Sequence, residues 1–154
     1  PIHNEVARSE NLAMRPIEMT APRGNVDRVE DLHAHGEYIA SLMHCGACHT
    51  PMQGPYANQT FAGGTAFGDV IAANITPDRD TGIGSWSDRD IIRAVREMKD
   101  DAGQDLRAPM ASYRIGWSHL SDADARALVF FMRSVPPVHH DITNEQPSSV
   151  SRQP

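Results

Sequence analysis

Thiols are scarce in this chain. Of 154 residues only Cys45 and Cys48 are cysteine, so no second pair exists to complete a zinc site built from two cysteine knuckles. Positive charge is also in deficit: 14 basic against 20 acidic residues give a formal net charge of −6, which argues against nucleic acid as a partner without identifying a protein one. No apolar run approaches the roughly 20 residues that a membrane-spanning helix needs, and no signal peptide opens the chain. No alternating apolar and polar run of useful length suggests a sheet, and no internal repeat is visible. At this length the chain suits one domain whose core is modest unless something else helps to fill it.

What the chain does have is "HCGACHTP" at 44–51, which puts both thiols in a C-x-x-C spacing with His49 immediately after. Four chemistries compete for such a motif. Incidental buried thiols are the ordinary reading of free cysteine, which behaves as a small hydrophobe. A disulfide-exchange pair should open a helix after a strand, whereas "EDLHAHGEYIASLMH" before Cys45 reads as helix. A zinc site would have to recruit distant histidines to reach four ligands. C-x-x-C-H is the attachment signature of c-type haem, and that chemistry uses every position. Cys45 and Cys48 fall one helical turn apart on one face, where their sulfurs can bond the two former vinyl groups of one porphyrin edge, and His49 follows where its ring can reach the iron. One motif implies one haem.

The working domain spans 31–138, flanked by an N-terminal extension or tether at 1–30 and a polar, proline-rich tail at 139–154 whose default is disorder or partner-dependent order. Three helices can be argued inside it. The first, about 31–46, places Leu32, Gly36, Ile39 and Met43 at spacings of three and four. The second opens at Ser87 with Asp90 in the S-x-x-D capping pattern and carries Ile91, Ile92 and Val95 on its apolar face. The third repeats that device with Ser121 and Asp124, turns Leu128, Phe131 and Met132 inward, and ends before Pro136 and Pro137. The expected fold is all-α.

Between the first two helices lie six of the eleven glycines, from Gly54 to Gly84, in a stretch longer than ordinary surface loops and apolar enough to cover a flat ring. A haem also needs a ligand on its other face. Met52 follows His49 too closely to cross over, and Met98 sits on the second helix. Met110, in "LRAPMASY" and stiffened by Pro109, is the best candidate. His119, His139 and His140 are its rivals, although a lone loop histidine is more often solvated, as are His33 and His44.

The segments "GEYIASLMHCGACHTP" (36–51), "ANITPDRDTGIGSWSDRDIIRAVRE" (73–97) and "APMASYRIGWSHLSDADARALVFFMRSVPPV" (108–138) resemble the class I cytochromes c, and more narrowly the cytochrome subunits of bacterial periplasmic dehydrogenases. The resemblance implies the class I cytochrome c fold, with Cys45 and Cys48 holding the haem, His49 as proximal ligand and Met110 as distal ligand. It implies a crossing of the first and last helices at Gly36 against Phe131, and haem-pocket or propionate contacts from Ile75, Trp86 and Tyr113. Family members commonly carry Pro where this chain has Ala73 and Ala111, departures that loosen the haem-side loops on paper. The implied function is outer-sphere electron transfer by a carrier or electron-transfer subunit, not an enzyme. A dehydrogenase or other donor and a cytochrome or oxidase acceptor would be the partners, in the periplasm or in a membrane-associated complex, after removal of a signal or anchor segment. A haem enzyme or gas sensor with a displaceable distal ligand is the alternative.

Overall fold

The computed structural model describes residues 28–145, so the expected extension before residue 28 and the tail beyond 145 lie outside the described residues. Five helices carry the fold among those residues, joined by long loops and one small hairpin. The expectation of a helix-dominated domain is met.

Helix α1, Val29–Leu42, begins with Glu30 and Asp31 in its first turn, where carboxylates favour the positive end of the helix dipole. It buries Gly36, Ile39 and Ala40, and Met43 just beyond it is 7% exposed. The single helix expected over 31–46 is instead two. His44 adopts a left-handed conformation (φ 57°), which stops α1 and starts α2, Cys45–His49, in a new direction.

Helix α5, Asp122–Ser134, packs across α1, and the two form the principal helix–helix contact among the described residues. Its N-cap is Ser121, whose hydroxyl accepts from Asp124 N at 3.1 Å, and its inward face holds Leu128, Phe131 and Met132, all buried. The two helices approach so closely at Gly36 that a Cβ there would stand 2.0 Å from the Ala127 carbonyl oxygen and 2.6 Å from Phe131 Cβ, so the crossing lies where the sequence placed it. His35 Nε2 meets Asp124 Oδ1 at 2.6 Å and ties the same pair of helices from the side.

Helix α3, Asp88–Glu97, starts with a complete capping box: Asp90 N donates to Ser87 Oγ, and Ser87 N donates back to Asp90 Oδ2. Ile91 is buried, with Ile92 and Val95 packed against the core from its edge. Arg133 of α5 donates to the Trp86 carbonyl at 2.6 Å and to Asp88 at 2.8 Å, fixing the start of α3. A short helix not anticipated from sequence, α4, Arg114–Trp117, continues a 3-10 turn over Met110–Tyr113.

The glycine-rich connection is ordered by its own hydrogen bonds rather than by regular structure. Its one sheet is a two-residue hairpin, β1 (Ala66–Phe67) with β2 (Val70–Ile71), turned by Gly68 and Asp69. A Gly-Asp pair between apolar doublets is itself a hairpin signal, so this element was legible although too short to register as an alternating run. Further along, Asn74 Oδ1 accepts from Thr76 N and Thr76 Oγ1 at 3.0 and 2.7 Å, and Asp78 Oδ1 accepts from Thr81 N and Thr81 Oγ1, both at 2.8 Å. Gly63 (φ 76°) lets the incoming limb lie against the outgoing one, since a Cβ there would fall 2.5 Å from Asn74 N.

Residues 139–145, expected as part of a polar tail whose default is disorder or partner-dependent order, lie on this connection. His140 is 3% exposed, so its reading as a solvated loop histidine is corrected: an aromatic neighbour and two hydrogen-bond acceptors take its ring out of water. His139 remains exposed.

Candidate haem site

The three motif residues sit together because α2 is one helical turn and a half, so Cys45, Cys48 and His49 share the side that faces inward. Cys45 packs against the core, and burial pushes its thiol up to about 11, opposed by a backbone hydrogen bond and helped by neighbouring Cys48. A redox-exchange cysteine needs the opposite shift, so the disulfide-exchange reading loses its chemistry. Among the described residues no cluster of three or more His, Cys, Asp or Glu converges to hold a metal ion by itself.

His49 Nδ1 lies 2.7 Å from the Ala73 carbonyl oxygen. That oxygen only accepts, so Nδ1 carries the proton and Nε2 is left with a free lone pair, the arrangement a metal-ligating histidine needs. Burial holds the imidazole below its usual value, with the Ala73 hydrogen bond acting the other way, so the ring is neutral and able to donate to iron. The acceptor that orients His49 is the backbone carbonyl of Ala73, not a side chain.

Beside these residues lies a cavity of about 460 Å³, mostly apolar. α2 contributes Cys45, Cys48 and His49 to its wall, the hairpin contributes Phe67, Val70 and Ile71, and α5 contributes Leu128 and Met132. Met110, Tyr113 and Trp117 close it from the segment between α3 and α5, with Tyr113 stacked on Trp117 at 4.6 Å and 9°. The residues fit a haem: a large apolar slot, two thiols and an imidazole with one nitrogen free along the wall, and a thioether from a separate segment.

Every site residue expected from the sequence lines this cavity: Cys45, Cys48, His49, Met110, Ile75, Trp86 and Tyr113. The rivals do not. His119, His139 and His140 are absent from the lining, Met52 is 84% exposed, and Met98 is buried elsewhere, capping α3 in a left-handed conformation. Sequence reasoning passed over Met43 and Met132, which also reach the cavity. Their helical periodicity marks them as core, and both are buried in the hydrophobic cluster. It also missed Leu106, Arg107 and Trp117, for which no spacing signal exists because the segment that carries them is irregular until α4 begins.

The cytochrome c family model matches residues 33–136, and the chain belongs to that family. Over 119 residues it is 39% identical to the cytochrome c subunit of a quinone alcohol dehydrogenase from Gluconobacter oxydans, covering 73% of this chain and 23% of that one. It is 40% identical over 120 residues to the gluconate 2-dehydrogenase cytochrome c subunit of Pantoea cypripedii, covering 73% and 25%. A fructose dehydrogenase cytochrome subunit from Gluconobacter japonicus is 40% identical over 105 residues, covering 66% and 21%. The chain therefore spans about a quarter of the length of the curated relatives it matches. Membership of this family defines an electron-transfer domain that carries covalent haem c.

Proposed function

We propose that the chain transfers electrons in the periplasm through one c-type haem bonded to Cys45 and Cys48, with His49 and Met110 as axial ligands. The observation that carries this reading is the single cavity wall on which both thiols and the free face of His49 meet, with Met110 reaching the same space from another segment. When bound, the haem supplies the one-electron chemistry. The protein holds it: Ala73 fixes the His49 ring, the apolar lining excludes water, and the saturated ligand set leaves no position for substrate. Ile75, Trp86 and Tyr113 line the cavity and would contact the haem, the last two able to offer an indole N–H and a phenol O–H to its propionates.

The names of the relatives, cytochrome subunits of dehydrogenases, support a dehydrogenase as electron donor; the proposal adds a cytochrome or oxidase as acceptor, in a complex at the outer face of the cytoplasmic membrane. Among the described residues no helix is long and apolar enough to cross a membrane, so contact with one would run through a partner or another segment.

The test is spectroscopic. The ferric protein should show the weak near-infrared band of methionine-to-iron ligation, and the ferrous protein should refuse carbon monoxide. Carbon monoxide binding without that band would replace the carrier with a haem enzyme or gas sensor.

A further inference from the structure

The segment that follows α5 grips the loop that carries the acceptor of the proximal histidine. Val138 O accepts from Asn74 Nδ2 at 2.7 Å and from Thr76 Oγ1 at 3.3 Å, while Val138 N donates to Thr76 Oγ1 at 3.1 Å. Two residues on, His140 N donates to Thr81 Oγ1 at 3.0 Å. The His140 ring stacks on Tyr56 with centroids 3.7 Å apart and planes 16° from parallel. Its Nδ1 lies 2.8 Å from the Ala62 carbonyl oxygen and its Nε2 lies 2.7 Å from Glu145 Oε1. A 3-10 turn over Ile142–Asn144, capped by Asp141, brings Glu145 back to that ring.

These contacts fall on both limbs of one loop. Ala62 belongs to the incoming limb, where neighbouring Gly63 N donates to the His49 carbonyl at 2.7 Å; Asn74 and Thr76 belong to the outgoing limb, next to Ala73, whose carbonyl accepts from His49 Nδ1. Asn74 and Thr81 also line the cavity. The backbone of His49 and its ring are thus each bonded to a limb that the strap holds.

We propose that residues 138–145 are a strap that sets the orientation of the proximal ligand, with His140 as the positioning residue. The inference rests on the reading of His49 as that ligand. Both ring nitrogens of His140 face oxygen atoms, so the ring is fastened at two points, to the incoming limb through Nδ1 and to Glu145 through Nε2. Glutamine at 145 would serve a neutral ring as well, because its amide N–H donates to Nε2. Loss of the latch lets the two limbs separate, and a loosened Ala73 carbonyl makes His49 a weaker donor to ferric iron, which favours the ferrous form.

The experiment uses the full haem-loaded chain and three substitutions, His140→Ala, Glu145→Ala and Glu145→Gln. Both alanine variants should keep the six-coordinate spectrum, show a raised midpoint potential, and exchange the His49 Nδ1 proton about tenfold faster by NMR. Glu145→Gln should keep the parental potential and exchange rate. Alanine variants that melt earlier yet retain the parental potential and exchange rate would overturn the proposal, leaving the strap a structural brace alone. His49→Ala in the same chain separates the two readings: an undisturbed low-spin spectrum there overturns His49 as ligand and with it the premise of the strap.

Discussion

Three methionines reach the cavity, and they differ in what holds them. Met43 lies two residues before Cys45 and is packed into the hydrophobic cluster, as is Met132 on α5. Met110 is outside that cluster, at the start of a 3-10 turn after Pro109, on a segment fastened from three directions. Leu106 N donates to the Met98 carbonyl at 2.7 Å, Lys99 pairs with Asp105 at 2.7 Å, and Arg107 pairs with Asp69 of the hairpin turn. A thioether presented from a fastened loop holds its position when an electron arrives, which suits transfer with little reorganisation. Met110→Ala should abolish the near-infrared band and admit carbon monoxide, whereas Met43→Leu and Met132→Leu should keep the band at a cost below about 1.5 kcal/mol each, as volume-conserving swaps in a core. Met110→His should keep six ligands and lower the potential, because imidazole favours ferric iron relative to a thioether. Redox titration with near-infrared spectra of the four variants checks this, and a band that survives Met110→Ala assigns the ligand to another methionine.

At the scale of elements, helices and loops were legible to different degrees. The apolar faces could be read because a helix repeats its environment every three or four residues, and the caps at Ser87 and Ser121 because a helix start needs side-chain acceptors, whereas the α1–α5 crossing at Gly36 came from the family resemblance alone. Gly36→Val should cost about 3 kcal/mol, at the upper end for overpacking, since the nearest obstacle is the rigid Ala127 carbonyl and not a flexible side-chain tip. A calorimetric melt of the holoprotein checks it, and unchanged melting would place the contact elsewhere. The break at His44 was not legible, since a left-handed histidine has no spacing signal. Nor was the burial of His140, which depends on Tyr56 and Ala62 some eighty residues earlier in the chain. The cavity-lining loop adds an acid-sensitive element. The Thr81 hydroxyl and backbone N–H beside Asp78 hold its carboxyl below its ordinary value of 3.8, with His139 assisting more weakly. A depressed folded value contributes stability that is complete above the unfolded value and is lost as pH falls through the folded one. Melting temperature should therefore fall in that acid window, and Asp78→Asn, which cannot titrate, should flatten that part of the profile. A variant as acid-sensitive as the parent would remove Asp78 from the account.

For the molecule as a whole, the cavity is the central term. The hydrophobic cluster gathers α1, α3 and α5 with Phe61 and Ile83 of the connecting loop, while the hairpin and the Met110 segment line the cavity. Met43, Ile83, Ile91, Leu128 and Met132 belong to the cluster and to the cavity wall alike. A haem seated there would extend the core, and its loss should be felt first by the segments that line the cavity outside α1 and α5. In the Cys45→Ser, Cys48→Ser double variant, produced without covalent haem, α1 and α5 should retain some helical signal through their mutual packing at Gly36, while backbone amides of 61–83 and 106–117 should exchange without measurable protection. Far-UV circular dichroism and hydrogen exchange, compared with the haem-loaded parent, make the test. Native-like protection of both loops in the haem-free variant would mean that the protein fills or tolerates the slot unaided, and would overturn the view of the haem as a folding element.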